Sequence, residues 1–211
     1  RLSSAENFDS IIAALAHTPY QMLLESFRPT YDNPIDFTAA ENALNTYLYS
    51  RLYETIEHLR DKSMKQDLRQ IVDLYLDLNN FARILRFKTY FQAGPDYIRS
   101  NLLPFGSLNK DQIEKMIQAR DAGEVRSLLA QTRIGKKTSK IEYNFADQLA
   151  ERALYKICQH DLHFSVHASV IMLSYIFYLQ IELMDIINIV EGIRYHLPPE
   201  EIKKLLAFSD F

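Results

Sequence analysis

The sequence predicts an all-α fold built from tandem, similar helical modules. Apolar residues recur at steps of three and four along most of the 211 residues, which is the pattern of amphipathic helices. Five glycines and no tryptophan leave little material for a turn-rich β architecture. Two parts of the chain also resemble each other, which is typical of duplicated helical units.

The repeat consists of similar residue types at a nearly constant spacing of about 105 residues. The matches are Ile35-Asp36-Phe37 with Ile141-Glu142-Tyr143, Leu48-Tyr49 with Leu154-Tyr155, Asp77 with Glu182, Asn80 with Asp185, and 108–113 with 197–202. Duplicated helical modules mostly form shaped surfaces and seldom form single catalytic pockets. Polar residues at matching places of two apolar helices are predicted either to line a common concave wall or to face solvent.

The first half of the chain contains two short and two long helical patterns. Residues 8–27 give two short apolar patterns that divide near Thr18-Pro19. One long stripe runs from Ala40 to Leu59, and a second runs from Leu68 to Leu85. The helix of the second stripe should end before Gly94-Pro95, because proline interrupts helical hydrogen bonding.

Shorter helices are predicted next, over residues 110–120 and 123–131. Asp111 lies near the start of the first, and Asp121 is placed to cap the second. The segment 132–140 contains Gly135 and four basic residues, so it is predicted to be an exposed linker.

The second half repeats the long helices. The pattern predicts helices over about 143–160 and 165–194, and a last short helix from Glu200 to about 207, after Pro198-Pro199. The apolar run 170–179 has about half the length that a bilayer core requires. Because Glu182 and Asp185 follow it, a buried helix of a soluble protein is the better interpretation.

The expected organisation has four parts. Residues 1–34 form the tail of a first helical module, 35–131 a second module, 132–140 the linker, and 141–211 a third module. The first module is therefore expected to be largely missing from these residues.

Composition restricts the function classes. The net charge of −3 gives no general attraction to nucleic acid or anionic lipid. A single cysteine, Cys158, excludes an internal disulfide framework.

No group of residues indicates catalysis. The densest cluster is Cys158, His160, Asp161, His163 and His167. On one helix His163 and His167 would share a face and could reach a metal ion, whereas a helix break between them, with Ser165 as N-cap, would prevent this. The sequence Gly135-Lys136-Lys137-Thr138 lacks the spacing of a phosphate-binding loop. No catalytic, cofactor-binding or metal-binding residue is therefore predicted.

Two stretches near the C-terminus resemble one protein family. Residues 182–195 (ELMDIINIVEGIRY) and 197–206 (LPPEEIKKLL) are similar to the C-terminal signature of the C-subunit family of archaeal and bacterial V-type (A-type) ATPases, which is related to the d-type subunit of the eukaryotic V-ATPase. Residues 77–88 and 108–117 resemble the preceding module of that family. One departure is Glu191, since many relatives have arginine before the glycine that corresponds to Gly192.

The resemblance implies a funnel-like protein of three similar helical modules around a pseudo-threefold axis. In that family the protein is a non-catalytic part of the central stalk. It receives the D and F proteins of the rotor shaft and sits on the membrane proteolipid ring, coupling ATP hydrolysis or synthesis to proton or sodium transport. Its expected location is peripheral, on the cytoplasmic face of the membrane, with membrane contact only through the ring. No cofactor and no nucleic acid partner is implied.

Five charged residues near the ends of the long helices are the predicted partner-binding residues: Arg83, Arg86, Lys88, Glu191 and Arg194. Two other functions remain open from the sequence. One is a generic helical-repeat scaffold that binds another protein. The other is a metal-dependent helical enzyme that uses His160, His163 and His167.

Overall fold

The computed structural model describes residues 2–31, 34–143 and 145–208, and these residues form an all-α fold without β-strands. A short 3-10 turn at Leu2–Ser4 precedes the α-helices. In chain order these are α1 (Phe8–Ala14), α2 (Pro19–Glu25), α3 (Phe37–Glu57), α4 (Lys62–Arg86), α5 (Pro95–Ser100), α6 (Lys110–Gln118), α7 (Ala122–Gln131), α8 (Arg133–Thr138), α9 (Ala146–Phe164), α10 (Ala168–Arg194) and α11 (Pro199–Leu205). The predicted all-α class is confirmed.

Local signals set most helix starts. The side chains of Asn7 and Asn109 form capping boxes at α1 and α6, and Asp121 accepts a hydrogen bond from the Glu124 N–H at the start of α7. These acceptors satisfy backbone N–H groups that have no partner within the helix. The predicted division near Thr18-Pro19 is confirmed, because Pro19 is the first residue of α2.

Helix α4 is the central element of the fold. It contacts α3, α7, α9 and α10. Its last turn continues as a π-helical segment, Phe87–Phe91, which ends where Gln92 adopts a left-handed φ of 48°. The helical region therefore stops before Gly94-Pro95, as the sequence predicts.

Two clusters of buried side chains lie on either side of α4. One joins Leu78 and Phe81 of α4 to Val125 and Leu129 of α7 and to the start of α9. The other joins α4 to α3, to Phe177 of α10 and to the second half of α9. Both clusters use α4 and α9, so the two cores are continuous through these helices.

The prediction of an exposed linker at 132–140 is wrong. This segment contains α8, and Thr132 caps it by accepting a hydrogen bond from the Gly135 N–H at 3.0 Å. Ile134 and Thr138 are buried, because residues four apart lie on the same side of a helix. Gly135 is required for close packing, since a Cβ atom there would lie 2.0 Å from the Leu129 carbonyl oxygen.

The chain between α9 and α10 also differs from its predicted form. Ser165 does not cap α10; His167 occupies that position, and its side chain makes no capping hydrogen bond. The Ser165 hydroxyl instead accepts a hydrogen bond from the His167 N–H.

The helices follow one another twice in a similar order. Helices α1 to α5 comprise two short helices, two long ones and a short one that starts with proline. The series α6, α7, α9, α10 and α11 has the same succession, with α8 inserted after α7. This order supports a duplicated helical module, although the module boundaries predicted from the sequence stay a prediction.

Candidate interaction surface

A buried aspartate and a buried asparagine of α4 hold the loop that follows α5. Asp77 accepts hydrogen bonds from the N–H and hydroxyl of Ser107, both at 2.8 Å, and from the Leu108 N–H at 3.2 Å. Asn80 donates to the Leu103 carbonyl and accepts from the Leu103 N–H, both at 2.9 Å. Burial raises the pKa of Asp77, and the bonds from Ser107 and Leu108 oppose that rise.

The close approach of the loop to Asp77 depends on a glycine. Gly106 has a φ of 124°, which side-chain-bearing residues rarely adopt. A Cβ atom on Gly106 would lie 2.1 Å from the Asp77 carboxylate. The loop therefore reaches the helix only because this position lacks a side chain.

The same arrangement recurs at the C-terminal end of the described chain. Asp185 of α10 accepts hydrogen bonds from the Ala207 N–H at 2.9 Å and the Phe208 N–H at 3.2 Å. Asn188, three residues later, donates to the Leu205 carbonyl at 3.4 Å. Each long helix thus uses Asp-x-x-Asn to fix the segment that follows the next short helix.

These contacts correct the predicted register of the repeat. Asp77 corresponds to Asp185, and Asn80 corresponds to Asn188. The pairing of Asp77 with Glu182 is wrong, because Glu182 is exposed and makes no such contact. The expectation of a polar concave wall or of solvent exposure is also wrong for Asp77, Asn80 and Asp185, which are buried as loop anchors. The repeated Asp-x-x-Asn spacing was visible in the sequence, and Asn188 was missed.

Helix α10 exposes most of its large apolar side chains. Ile186 is 51% exposed, Val190 57% and Ile193 63%. We name this surface the α10 face and define it by seven exposed members: Ile176, Leu179, Met184, Ile186, Ile189, Val190 and Ile193. A contiguous apolar surface of this kind marks an interaction site in a soluble protein.

The α10 face corresponds to a part of α4 that is buried. Shifted by the 108 residues that separate Asp77 from Asp185, its members match Leu68, Ile71, Leu76, Leu78, Phe81, Ala82 and Leu85. All seven of these α4 residues are buried, and α9 is the helix that packs most closely along α4. The α10 face therefore has the composition of a helix surface that another helix covers.

The expectation that this apolar helix is buried is wrong for the part of the chain that the structure describes. Among those residues, α10 is the one helix that by length and composition meets the criteria for a membrane span. Core helices of soluble proteins meet the same criteria, so this property alone is weak support for a span. Its sequence is apolar around most of the helix, and this signal indicates coverage on more than one side.

A cleft of about 460 Å³ lies beside the α10 face, between α4, α9 and α10. Glu151 lines it, and burial, followed by the charges of Asp147 and Asp185, raises the pKa of Glu151 to about 7. Arg86 forms a bidentate ion pair with Asp147 at the same cleft, with both N–O distances 2.8 Å. The cleft therefore contains a carboxyl group that titrates near neutral pH.

Three of the predicted partner-binding residues make contacts inside the protein. Arg83 donates to the Asn42 side chain and to the Asn101 carbonyl, both at 2.9 Å. Arg86 pairs with Asp147, and its side chain is half exposed. Lys88 donates to the Ala119 carbonyl, and burial lowers its pKa.

The other two predicted partner-binding residues lie next to the α10 face. Arg194 and Glu191 form an ion pair of 3.4 Å, three residues apart on the helix. Both adjoin exposed apolar members of the face, Val190 and Ile193. The structure thus brings these two together and separates them from Arg83, which is turned inward. All five remain predicted contact residues.

The histidine cluster does not form a metal site of the predicted kind. Helix α9 ends at Phe164 and α10 begins at Ala168, so His163 and His167 do not share a helix face. No group of three or more potential metal ligands occurs among the described residues. Burial raises the pKa of Cys158 to about 12, which disfavours the thiolate that metal binding requires.

Comparison with known proteins gives a consistent result. A family profile described as ATP synthase (C/AC39) subunit matches residues 1–205. The C-type subunit of the A-type ATP synthase of Methanosarcina mazei is 30% identical over 105 residues, which cover 50% of this chain and 28% of the relative. The same protein of Methanosphaera stadtmanae is 31% identical over 105 residues, which cover 48% of this chain and 27% of the relative. The aligned region thus spans less than a third of either relative.

Proposed function

Because the chain belongs to the ATP synthase (C/AC39) subunit family, we propose that it is a non-catalytic part of the central stalk of a V-type or A-type ATPase. The observation that carries the proposal is the family match along almost the whole chain, residues 1–205. In this role the protein couples a rotor shaft to the membrane proteolipid ring during ATP-linked proton or sodium transport.

The expected partners are the D and F proteins of the shaft and the proteolipid ring. The α10 face supports binding to protein, because exposed apolar surface of this extent is stabilised when another helix covers it. Glu191 and Arg194 lie at the C-terminal end of that face and are suited to set the orientation of a partner through charge.

The surroundings of α10 favour a protein partner over lipid. Glu182 is exposed near the middle of α10. A carboxylate at the centre of a bilayer costs about 2.5–3.5 kcal/mol on insertion scales. We therefore expect a peripheral location at the cytoplasmic face, with membrane contact only through the ring.

The three-module arrangement is part of the same proposal. Helix α9 covers α4, and the α10 face is the equivalent surface without a covering helix among the described residues. A further module of the same kind would cover α10 as α9 covers α4. Repetition of this contact leads to modules arranged around a pseudo-threefold axis.

A stiff body suits torque transmission. Helices α3, α4 and α10 have 21, 25 and 27 residues. The buried Asp77 and Asp185 tie the segments after α5 and α11 to the middles of α4 and α10. Bending of either long helix would strain these hydrogen bonds, so the modules resist deformation.

Co-purification with the shaft proteins tests the proposed function. The chain is co-expressed with the D and F proteins of the same source, and we expect it to be retained on a tagged D protein. The triple variant Ile186→Ser, Val190→Ser, Ile193→Ser should lose retention, because it removes apolar contact from the α10 face.

The control for this experiment changes three exposed apolar residues elsewhere. Met22→Ser, Tyr31→Ser, Phe37→Ser should be retained like the unaltered chain, because these residues lie before or at the start of α3. Failure of the unaltered chain to bind would contradict the stalk role. Retention of the α10 variant would contradict the assigned surface.

A further inference from the structure

A second concave surface lies between α4 and α9, away from the cleft that contains Glu151. One wall is formed by Ser63, Asp67, Gln70 and Leu74, which recur at steps of three and four along α4. The other wall is formed by residues of α9 at similar steps: Ala153, Lys156, Ile157, His160 and Phe164. We name this cleft of about 700 Å³ the basic groove.

The dimensions of the basic groove match a helix. Each wall extends over 12 residues of its helix, from Ser63 to Leu74 and from Ala153 to Phe164. At 1.5 Å per residue this corresponds to a length of about 16 Å, or three helical turns. Parallel stripes on two packed helices with a depression between them are the usual receptor for a third, amphipathic helix.

The lining of the groove is apolar along its length. Leu74 and Ala153 are buried, and Ile141 and Ile157 are partly buried. At one end Phe164 is 73% exposed and Val166 is 89% exposed. These exposed side chains offer apolar contact area to a ligand without rearrangement of the core.

Three lysines give the groove its charge. Lys137 and Lys140 reach it from the end of α8 and the residues after it, and Lys156 reaches it from α9. Each is exposed, and none forms an ion pair or hydrogen bond with another described residue. The acidic residues of the lining are Asp67 and Asp161, and Asp161 already contacts His160 at 3.2 Å and Ser174 at 3.5 Å.

We propose that the basic groove binds an acidic amphipathic helix of a partner protein, about three turns long, with its apolar side on Ile157 and Phe164 and its carboxylates toward Lys137, Lys140 and Lys156. The charge of the lysines is opposite to that of the chain as a whole, whose net charge is −3. This local excess of positive charge therefore selects an acidic ligand.

The shape of the groove favours a helix over a membrane surface. A bilayer presents a plane, and a plane cannot reach the buried Leu74 at the bottom of the groove. Asp67 on the α4 wall would also face anionic headgroups. A helix enters the groove, and it can place a neutral or basic residue beside Asp67.

Peptide selection tests the proposal on the purified chain. The probe is a phage-displayed library of random peptides of about 14 residues, long enough for three to four helical turns. We expect enriched peptides with apolar residues at helical spacing and with Asp or Glu between them. The triple variant Lys137→Glu, Lys140→Glu, Lys156→Glu should weaken a selected peptide by about tenfold or more. Phe164→Ser with Val166→Ser should weaken it as well.

A matched charge reversal provides the control. Lys110→Glu, Lys115→Glu, Arg126→Glu changes the net charge by the same amount on α6 and α7, so the peptide should bind it as it binds the unaltered chain. Circular dichroism checks that all variants remain helical. The proposal is overturned if no acidic helical peptide is enriched, or if both triple variants weaken binding equally. Binding of phosphatidylglycerol vesicles that is lost only in the groove variant, without peptide binding, would also overturn it in favour of a lipid site.

Discussion

At the scale of single residues, the main lesson concerns polar groups inside apolar helices. Asp77, Asn80 and Asp185 interrupt apolar stripes, and a charged or polar residue at such a place usually faces solvent. Here each is buried and satisfies backbone groups of a neighbouring segment. Buried polar groups are tolerated when they are hydrogen-bonded, and these contacts explain why the helices keep them.

Replacement of Asp77 tests its anchoring role. Asp77→Ala leaves the Ser107 and Leu108 N–H groups without their acceptor, so we expect the free energy of unfolding to fall by about 2–4 kcal/mol. Urea denaturation followed by circular dichroism measures the change. The control is Asp67→Ala on the exposed side of the same helix, with an expected effect of less than about 0.5 kcal/mol. Equal effects of the two changes would refute the anchoring role.

Glu151 gives a prediction for pH dependence. The carboxyl ionises near about pH 4.3 in an unfolded chain and at about 7 in the folded protein. Between these values the folded state holds more protons, so this group lowers the free energy of unfolding as pH rises, and the full cost is present above pH 7. With allowance for its partial exposure, the cost is about 1–2 kcal/mol.

Glu151→Gln should remove that cost. We expect the variant to equal the unaltered protein in stability near about pH 4 and to exceed it at about pH 8, with the difference developing between these values. Urea denaturation at a series of pH values measures it. Glu142→Gln, an exposed residue, should follow the unaltered protein throughout. A pH-independent difference for Glu151→Gln would show that the carboxyl is not perturbed.

At the scale of helices, α4 and α10 show how equivalent elements can differ in burial. Both carry Asp-x-x-Asn, and both have apolar residues at the same positions relative to it. The positions are buried in α4, where α9 packs, and exposed in α10. Helix composition thus reports the surface that a helix is suited to bury, and the neighbouring helices decide whether it is buried in this chain.

A pair of equivalent truncations tests this difference. Leu78→Ala creates a cavity in the core and should lower the free energy of unfolding by about 2–5 kcal/mol. Ile186→Ala, at the matching position of α10, should change it by less than about 0.5 kcal/mol, since that side chain is already 51% exposed. Thermal or urea denaturation measures both, and comparable losses would contradict the exposure of the α10 face.

At the scale of the whole molecule, the shared use of α4 and α9 joins the two cores. Each core contains side chains from both helices, so neither can lose its packing while the other stays intact. Repeat proteins unfold as units when the interface between neighbouring modules is large relative to the stability of each module.

A single unfolding transition is therefore expected. Leu78→Ala, in one core, should lower the protection of α10 amides in the other core by the same free energy as that of α7 amides. Hydrogen exchange with mass spectrometry measures both helices in one experiment. Two separate transitions, or loss of protection confined to α7, would show that the modules fold independently.

The sequence by itself determined the all-α class, most helix limits, the duplication and the family, because these depend on local periodicity, capping and residue spacing. Thr18-Pro19, Asp121 and Gly94-Pro95 marked helix limits that the structure retains. Tertiary structure decided the register of the repeat, the burial of Asp77 and Asp185, the packing of α8 in the supposed linker, and the exposure of the α10 face. These properties depend on which distant segment lies against a given helix, and a pattern of neighbours along the chain contains no such information.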